Sequence, residues 1–109
     1  MALPKASDHR FTYADYQKWP DGERWELIDG EAYAMSPAPT IKHQTLVLDI
    51  ARQIADTLDG APCRALIAPV DVLLPTPDEA DDHITTVVQP DILVVCDPKK
   101  ITERNVRGA

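Results

Sequence analysis

Five side chains in this 109-residue sequence stand out as candidates to hold a metal or move a proton: Glu26, Glu31, His43, Asp71 and Asp91. Asp91 stands first among them. It follows Pro90 and leads the apolar run Ile92-Leu93-Val94-Val95-Cys96, so a carboxylate sits at the mouth of a strand that reads as buried. Such a placement is costly unless a cation or hydrogen-bond donors satisfy the acid. Phosphodiester cleavage with Mg²⁺ uses two or more converging carboxylates, because that ion prefers oxygen ligands. It also needs a positive group to meet charge developing at phosphorus, and a base or metal to activate water. Spacing alone leaves plainer roles open. Asp91 could bond nearby turn amides, Glu26 and Glu31 could be solvent-facing strand acids, and Asp71 could be an edge-strand charge that discourages aggregation. His43 could be a half-buried helix residue.

The elements that must position these groups can be read from periodicity and punctuation. Residues 1–10 read as a flexible arm, followed by one domain over 11–109. Thr12 caps a short helix ending near Trp19 and Pro20, with Tyr13, Tyr16 and Trp19 on one face. That stripe suits core packing better than base stacking. Trp25–Ile28 and Glu31–Met35 flank Asp29-Gly30, a dipeptide suited to a type I′ hairpin turn. Ser36-Pro37-Ala38-Pro39 then breaks the sheet.

Thr40 caps one long helix over about 41–59, with Val47, Ile50, Ala51, Ile54 and Leu58 at helical spacing. Strand segments 64–68 and 70–74 surround Pro69, which implies an edge or bulge. An acidic turn over 75–82 leads to a strand near Val87–Cys96, expected to be buried on both faces. Lys99–Arg104 reads as a short helix or loop. The whole predicts an α+β mixed sheet packed on a main helix, incomplete at its C-terminus.

Composition narrows the function classes. Eighteen acids against 11 bases give a net charge of −7, which disfavours loose adhesion to DNA or anionic membranes. Cys63 and Cys96 lack zinc spacing and each sits beside aliphatic residues, so a reduced core thiol is expected for both. The run Asp78–Asp82 has charge but not the spaced ligands and glycine of an EF-hand, and reads as a solvated turn. No signal region or membrane-length apolar run is present, which predicts a cytoplasmic protein. Lys99, Lys100, Arg104 and Arg107 form a modest basic tail that could touch phosphate or simply face water.

Several stretches together resemble the Uma-two family of restriction-endonuclease-like proteins. They are Phe11-Thr12-Tyr13 with Asp15-Tyr16, Arg24-Trp25-Glu26-Leu27-Ile28-Asp29-Gly30-Glu31, and Met35-Ser36-Pro37. His43-Gln44, Ala68-Pro69-Val70-Asp71-Val72, Val88-Gln89-Pro90-Asp91 with the run to Asp97, and Ile101–Arg104 follow in the same order. The resemblance implies a PD-(D/E)XK nuclease-like fold and Mg²⁺- or Mn²⁺-dependent hydrolysis of DNA. It makes Asp91 the metal ligand of the PD element and Glu31 a second ligand or an orienter of the attacking water. His43 and Asp71 match pattern positions without an assigned role.

The family pattern continues with a strand bearing a further acid and then a lysine, beyond Ala109. The chain is therefore expected to be a truncated and inactive portion of a nuclease domain. The competing expectation is a non-catalytic interaction module that forms homo-oligomers through an exposed sheet edge.

Overall fold

The computed structural model describes residues 10–20, 22–35 and 39–108. The expected N-terminal arm falls outside these residues except for Arg10, and so does most of the Ser36–Pro39 break. The chain runs α1 (Tyr13–Tyr16), β1 (Trp25–Ile28), β2 (Glu31–Ala34), α2 (Ile41–Thr57), β3 (Arg64–Ile67), β4 (Asp71–Leu73), β5 (Val87–Val88), β6 (Ile92–Val95) and β7 (Asn105–Arg107). Short 3₁₀ turns at Asp81–His83 and Pro98–Lys100 complete it. Five strands form a mixed sheet in the order β2-β1-β5-β4-β7, in which only β4 and β7 run parallel. β3 and β6 form a separate antiparallel ribbon. The α+β architecture with a mixed sheet and one main helix is the one the sequence predicts.

Local chemistry explains the elements. Asp29 and Gly30 both adopt positive φ, 50° and 83°, which lets a two-residue turn follow the twist of β1 and β2. Glycine suits the second position, where an added Cβ would stand 3.0 Å from Arg10 Cβ. Asp15 Oδ2 accepts from the Thr12 N–H at 2.9 Å and so closes the start of α1. Thr40 Oγ1 accepts from the His43 N–H at 3.1 Å and starts α2.

Alternation along β4 splits the core into two layers. Leu73 joins Tyr13, Leu27, Ala32, Ile84 and Val87 on one side, with Phe11, Tyr16, Trp19 and Trp25 packed around them. Val72 joins Val95 and Val106 on the other. The aromatic stripe of the first helix is thus core, as its spacing predicts: Tyr13 and Tyr16 stack at 5.8 Å, and Trp19 meets both Tyr16 and Trp25.

Three expectations need correction. Cys63 and Cys96 are bonded to each other, not reduced thiols. The register of β3 and β6 pairs Arg64 with Val95, which sets the next two residues outward opposite one another. The strand expected over Val87–Cys96 is broken by Gln89-Pro90-Asp91, because proline cannot donate to a ladder. Its second half, β6, is not buried on both faces, since Val94 is 45% exposed. Beyond these, Asn105–Arg107 forms β7, and the short helix or loop expected over Lys99–Arg104 is met by the 3₁₀ turn at Pro98–Lys100.

The main helix α2 leans on β3 and buries no residue fully. Of its expected stripe, Val47, Ala51, Ile54 and Leu58 are the more covered side, whereas Ile50, expected with them, is exposed together with Ile41, Leu46 and Leu48.

Candidate functional site

The broken strand builds the site. β5 pairs with β1 at Leu27–Val87, and past Val88 the chain leaves that sheet to enter β6. At the crossing, the Gln89 N–H has lost its strand partner, and Glu26 Oε2 accepts from it at 2.8 Å. Two residues on, Asp91 begins the ribbon, its carbonyl accepting from the Ala68 N–H at 3.1 Å. Its side chain meets His43 from the first turn of α2, with Nε2 and Oδ2 3.2 Å apart. The carboxylate raises the His43 pKa above the usual imidazole range, helped by the Gln44 carbonyl oxygen at Nδ1.

Glu26, His43 and Asp91 line one cleft of about 590 Å³, together with Arg24, Thr40 and Pro69. Among the described residues, none donates to Asp91 Oδ1 or Glu26 Oε1 there. Glu31 lies elsewhere. It shares the hairpin face of Glu26, two register positions along, but stands exposed near the turn and accepts from Tyr33 OH at 2.9 Å. The geometry therefore brings Asp91 together with Glu26 and His43, and leaves Glu31 outside this cleft.

Asp71 is also outside it. Asp71 Oδ1 accepts from Tyr16 OH at 2.6 Å and from Gln89 Nε2 at 2.9 Å, beside a separate cavity of about 240 Å³ lined by Trp19 and Trp25. Burial pushes the Tyr16 hydroxyl pKa well up, and the Asp71 charge pushes it further. Gln89 lines this second cavity and is bonded to Glu26 and Arg24 of the first. Its Nε2 also reaches Tyr16 OH at 2.8 Å, and its Oε1 accepts from Arg24 Nε at 2.9 Å.

Gln89 and Arg24 are the functional residues that sequence reasoning left without roles. A signal existed: each precedes a cleft carboxylate by two residues, the spacing that puts side chains on one face of an extended chain. Arg107, placed in the basic tail, is committed to Asp81 and to the Glu79 carbonyl. The acidic turn is thus clamped at one end.

Oxygen chemistry fits a hard divalent cation. Mg²⁺ commonly uses one or two carboxylates, keeps several waters and takes its remaining ligands from substrate phosphate. Asp91 and Glu26 could supply that number. Among the described residues no group of three or more His, Cys, Asp or Glu side chains forms a closed metal cage.

Comparison with known proteins agrees with the order of motifs. No match to a curated protein is found. The Uma2 family, described as "Putative restriction endonuclease", matches residues 13–109. That span includes every residue of the cleft, so the chain belongs to the Uma2 family.

Proposed function

We propose that this chain carries part of the site of a metal-dependent endonuclease that hydrolyses DNA phosphodiester bonds. The observation that carries the proposal is the shared cleft of Asp91 and Glu26, each with one unclaimed carboxylate oxygen, in a chain of the Uma2 family. Asp91 is the first ligand for Mg²⁺ or Mn²⁺, with Glu26 beside it. Glu31 is an outer candidate on the same hairpin face. When bound, the cation would offset charge on the phosphate and acidify a water for attack.

The chain's own residues do the rest. Asp91 is aimed by His43, whose raised pKa keeps the ring cationic to higher pH than usual. Glu26 is aimed by the Gln89 N–H. Asp71 holds Tyr16 and Gln89 and acts on the cleft only through them.

Calorimetry with Mn²⁺ tests the ligand assignment, comparing the chain with Asp91→Ala. Equal heats of binding in both would remove Asp91 from the site. Nicking of supercoiled plasmid with Mn²⁺, by this chain and by one extended through a further acid-bearing strand and lysine, tests the activity. The proposal expects cleavage by the extended protein and little or none by this one.

A second reading, a non-catalytic module that self-associates, draws on the apolar side chains left exposed on α2 and on the ribbon at Ile67 and Val94. Silence of both plasmid assays, with a concentration-dependent sedimentation coefficient, would favour it.

A further inference from the structure

The cleft holds its charges apart in an unusual way. Glu26 is bonded to the Gln89 N–H and Asp91 to His43, so both acids have partners of their own. Arg24 lines the same cleft and pairs with neither. Arg10, Arg52 and Arg107 all have an aspartate within ion-pairing distance, whereas half-buried Arg24 has no carboxylate partner among the described residues. Its Nε is fixed by Gln89 Oε1 at 2.9 Å, and its buried Nη2 has no hydrogen-bond partner among the described residues. Buried donors are nearly always satisfied, and a half-buried cation without a counter-charge is rarer still.

An anion in the cleft would supply the missing counter-charge. A guanidinium presents a planar fork matched to the oxygens of a phosphate, and Gln89 holds this fork by one edge. We infer that Arg24 is an anion-binding residue that contacts a non-bridging oxygen of a phosphodiester, opposite the oxygens of Asp91 and Glu26. The inference rests on the nuclease reading for its substrate class, but anion binding can be tested without cleavage. Arg24 meets the requirement for a positive group at phosphorus from within residues 13–109.

The test follows the Arg24 Nε–H resonance by NMR in the presence of Ca²⁺. Inorganic phosphate and a 12-base-pair duplex are titrated separately, into the unaltered chain, Arg24→Gln and Arg24→Lys. The expected result is a saturable shift at Arg24 with the duplex in the unaltered chain, and a duplex affinity, read in all three proteins from backbone amide shifts, that falls about 10-fold or more in Arg24→Gln and less in Arg24→Lys. The salt dependence of duplex binding should lose about one phosphate contact in Arg24→Gln. A saturable shift with phosphate alone would uphold the anion site and count against nucleic acid as its source, and so against the nuclease reading. No shift at Arg24 with either probe, or equal affinity in Arg24→Gln, would overturn the inference. Because the resonance is read in the unaltered chain, an unfolded Arg24→Gln still leaves a decisive result.

Discussion

Gln89 and Glu26 are joined by a bond between a backbone N–H and a carboxylate at 2.8 Å, across 63 residues of sequence. The N–H is available only because the strand stops at Val88, so the break that ends β5 is also what orients the acid. The same residue ties Arg24, Asp71 and Tyr16 with its side chain. One glutamine thus links Glu26 and Arg24 of the cleft to Tyr16 and Asp71 of the second cavity.

Replacing Gln89 with leucine should cost about 2–3 kcal/mol, because Arg24 Nε loses its acceptor and Asp71 one of its donors in a partly buried network. Urea unfolding followed by Trp fluorescence measures it. A loss near zero would mean that water replaces the amide without penalty.

Tyr16 should ionise above the range of an ordinary tyrosine, because it is buried and faces the Asp71 carboxylate. Its pKa is raised in the folded state, so its contribution to stability is complete below the unfolded value. That contribution is lost as pH climbs toward the folded value. Absorbance titration of Asp71→Asn should bring the Tyr16 transition down. An unmoved transition would leave burial as the whole cause.

His43 should hold its proton to higher pH than a free imidazole, chiefly through its bond to Asp91. The raised folded pKa stabilises the chain fully at pH below the unfolded value near 6.5, and the effect fades as pH rises through the folded value. NMR titration of the His43 ring in Asp91→Asn should show a lower pKa. If the two titrations coincide, the contact at 3.2 Å is not formed in solution.

Reducing the bond between Cys63 and Cys96 should cost about 2–4 kcal/mol, from the 33 residues it closes in the unfolded chain. Double Cys→Ser substitution should match the reduced protein in urea. Identical midpoints for reduced and oxidised protein would show that the ribbon needs no tie.

Leu27 is fully buried between the hairpin and β5, so Leu27→Ala should cost about 2–5 kcal/mol. Ile67→Ala, at an exposed ribbon position, should fall within about 0.5 kcal/mol of no change. Thermal melts of the two variants, run side by side, test the placement of the core.

Local signals made much of the fold legible before any coordinates. Asp29-Gly30 marked the hairpin, Thr40 marked the start of α2, and Tyr13, Tyr16 and Trp19 marked a buried stripe. What failed was non-local. The bond between Cys63 and Cys96 depends on the pairing of β3 with β6, which no local pattern encodes. The split at Pro90 was hidden because Val87–Cys96 is apolar on both sides of it. Asn105–Arg107 carries two polar residues in three and becomes a strand only because β4 offers a parallel edge. Within the site, Asp91 was legible as a costly acid before a strand. The partnership of Glu26 with Gln89 was not, since it depends on where a strand loses its neighbour.

The order β2-β1-β5-β4-β7 has a consequence for how the molecule comes into being. The hairpin and α2 need only near neighbours and can form early. β5 must insert between β1 and β4, and Tyr13 OH accepts its bond from Asn105 Nδ2 across 92 residues. Loop closure over such distances precedes any reward from the contacts, so the sheet assembles late and slowly compared with the helix. Until then the edges of β1 and β4 stand open to other strands, so the time spent half-assembled is when the chain is most exposed to pairing with its neighbours.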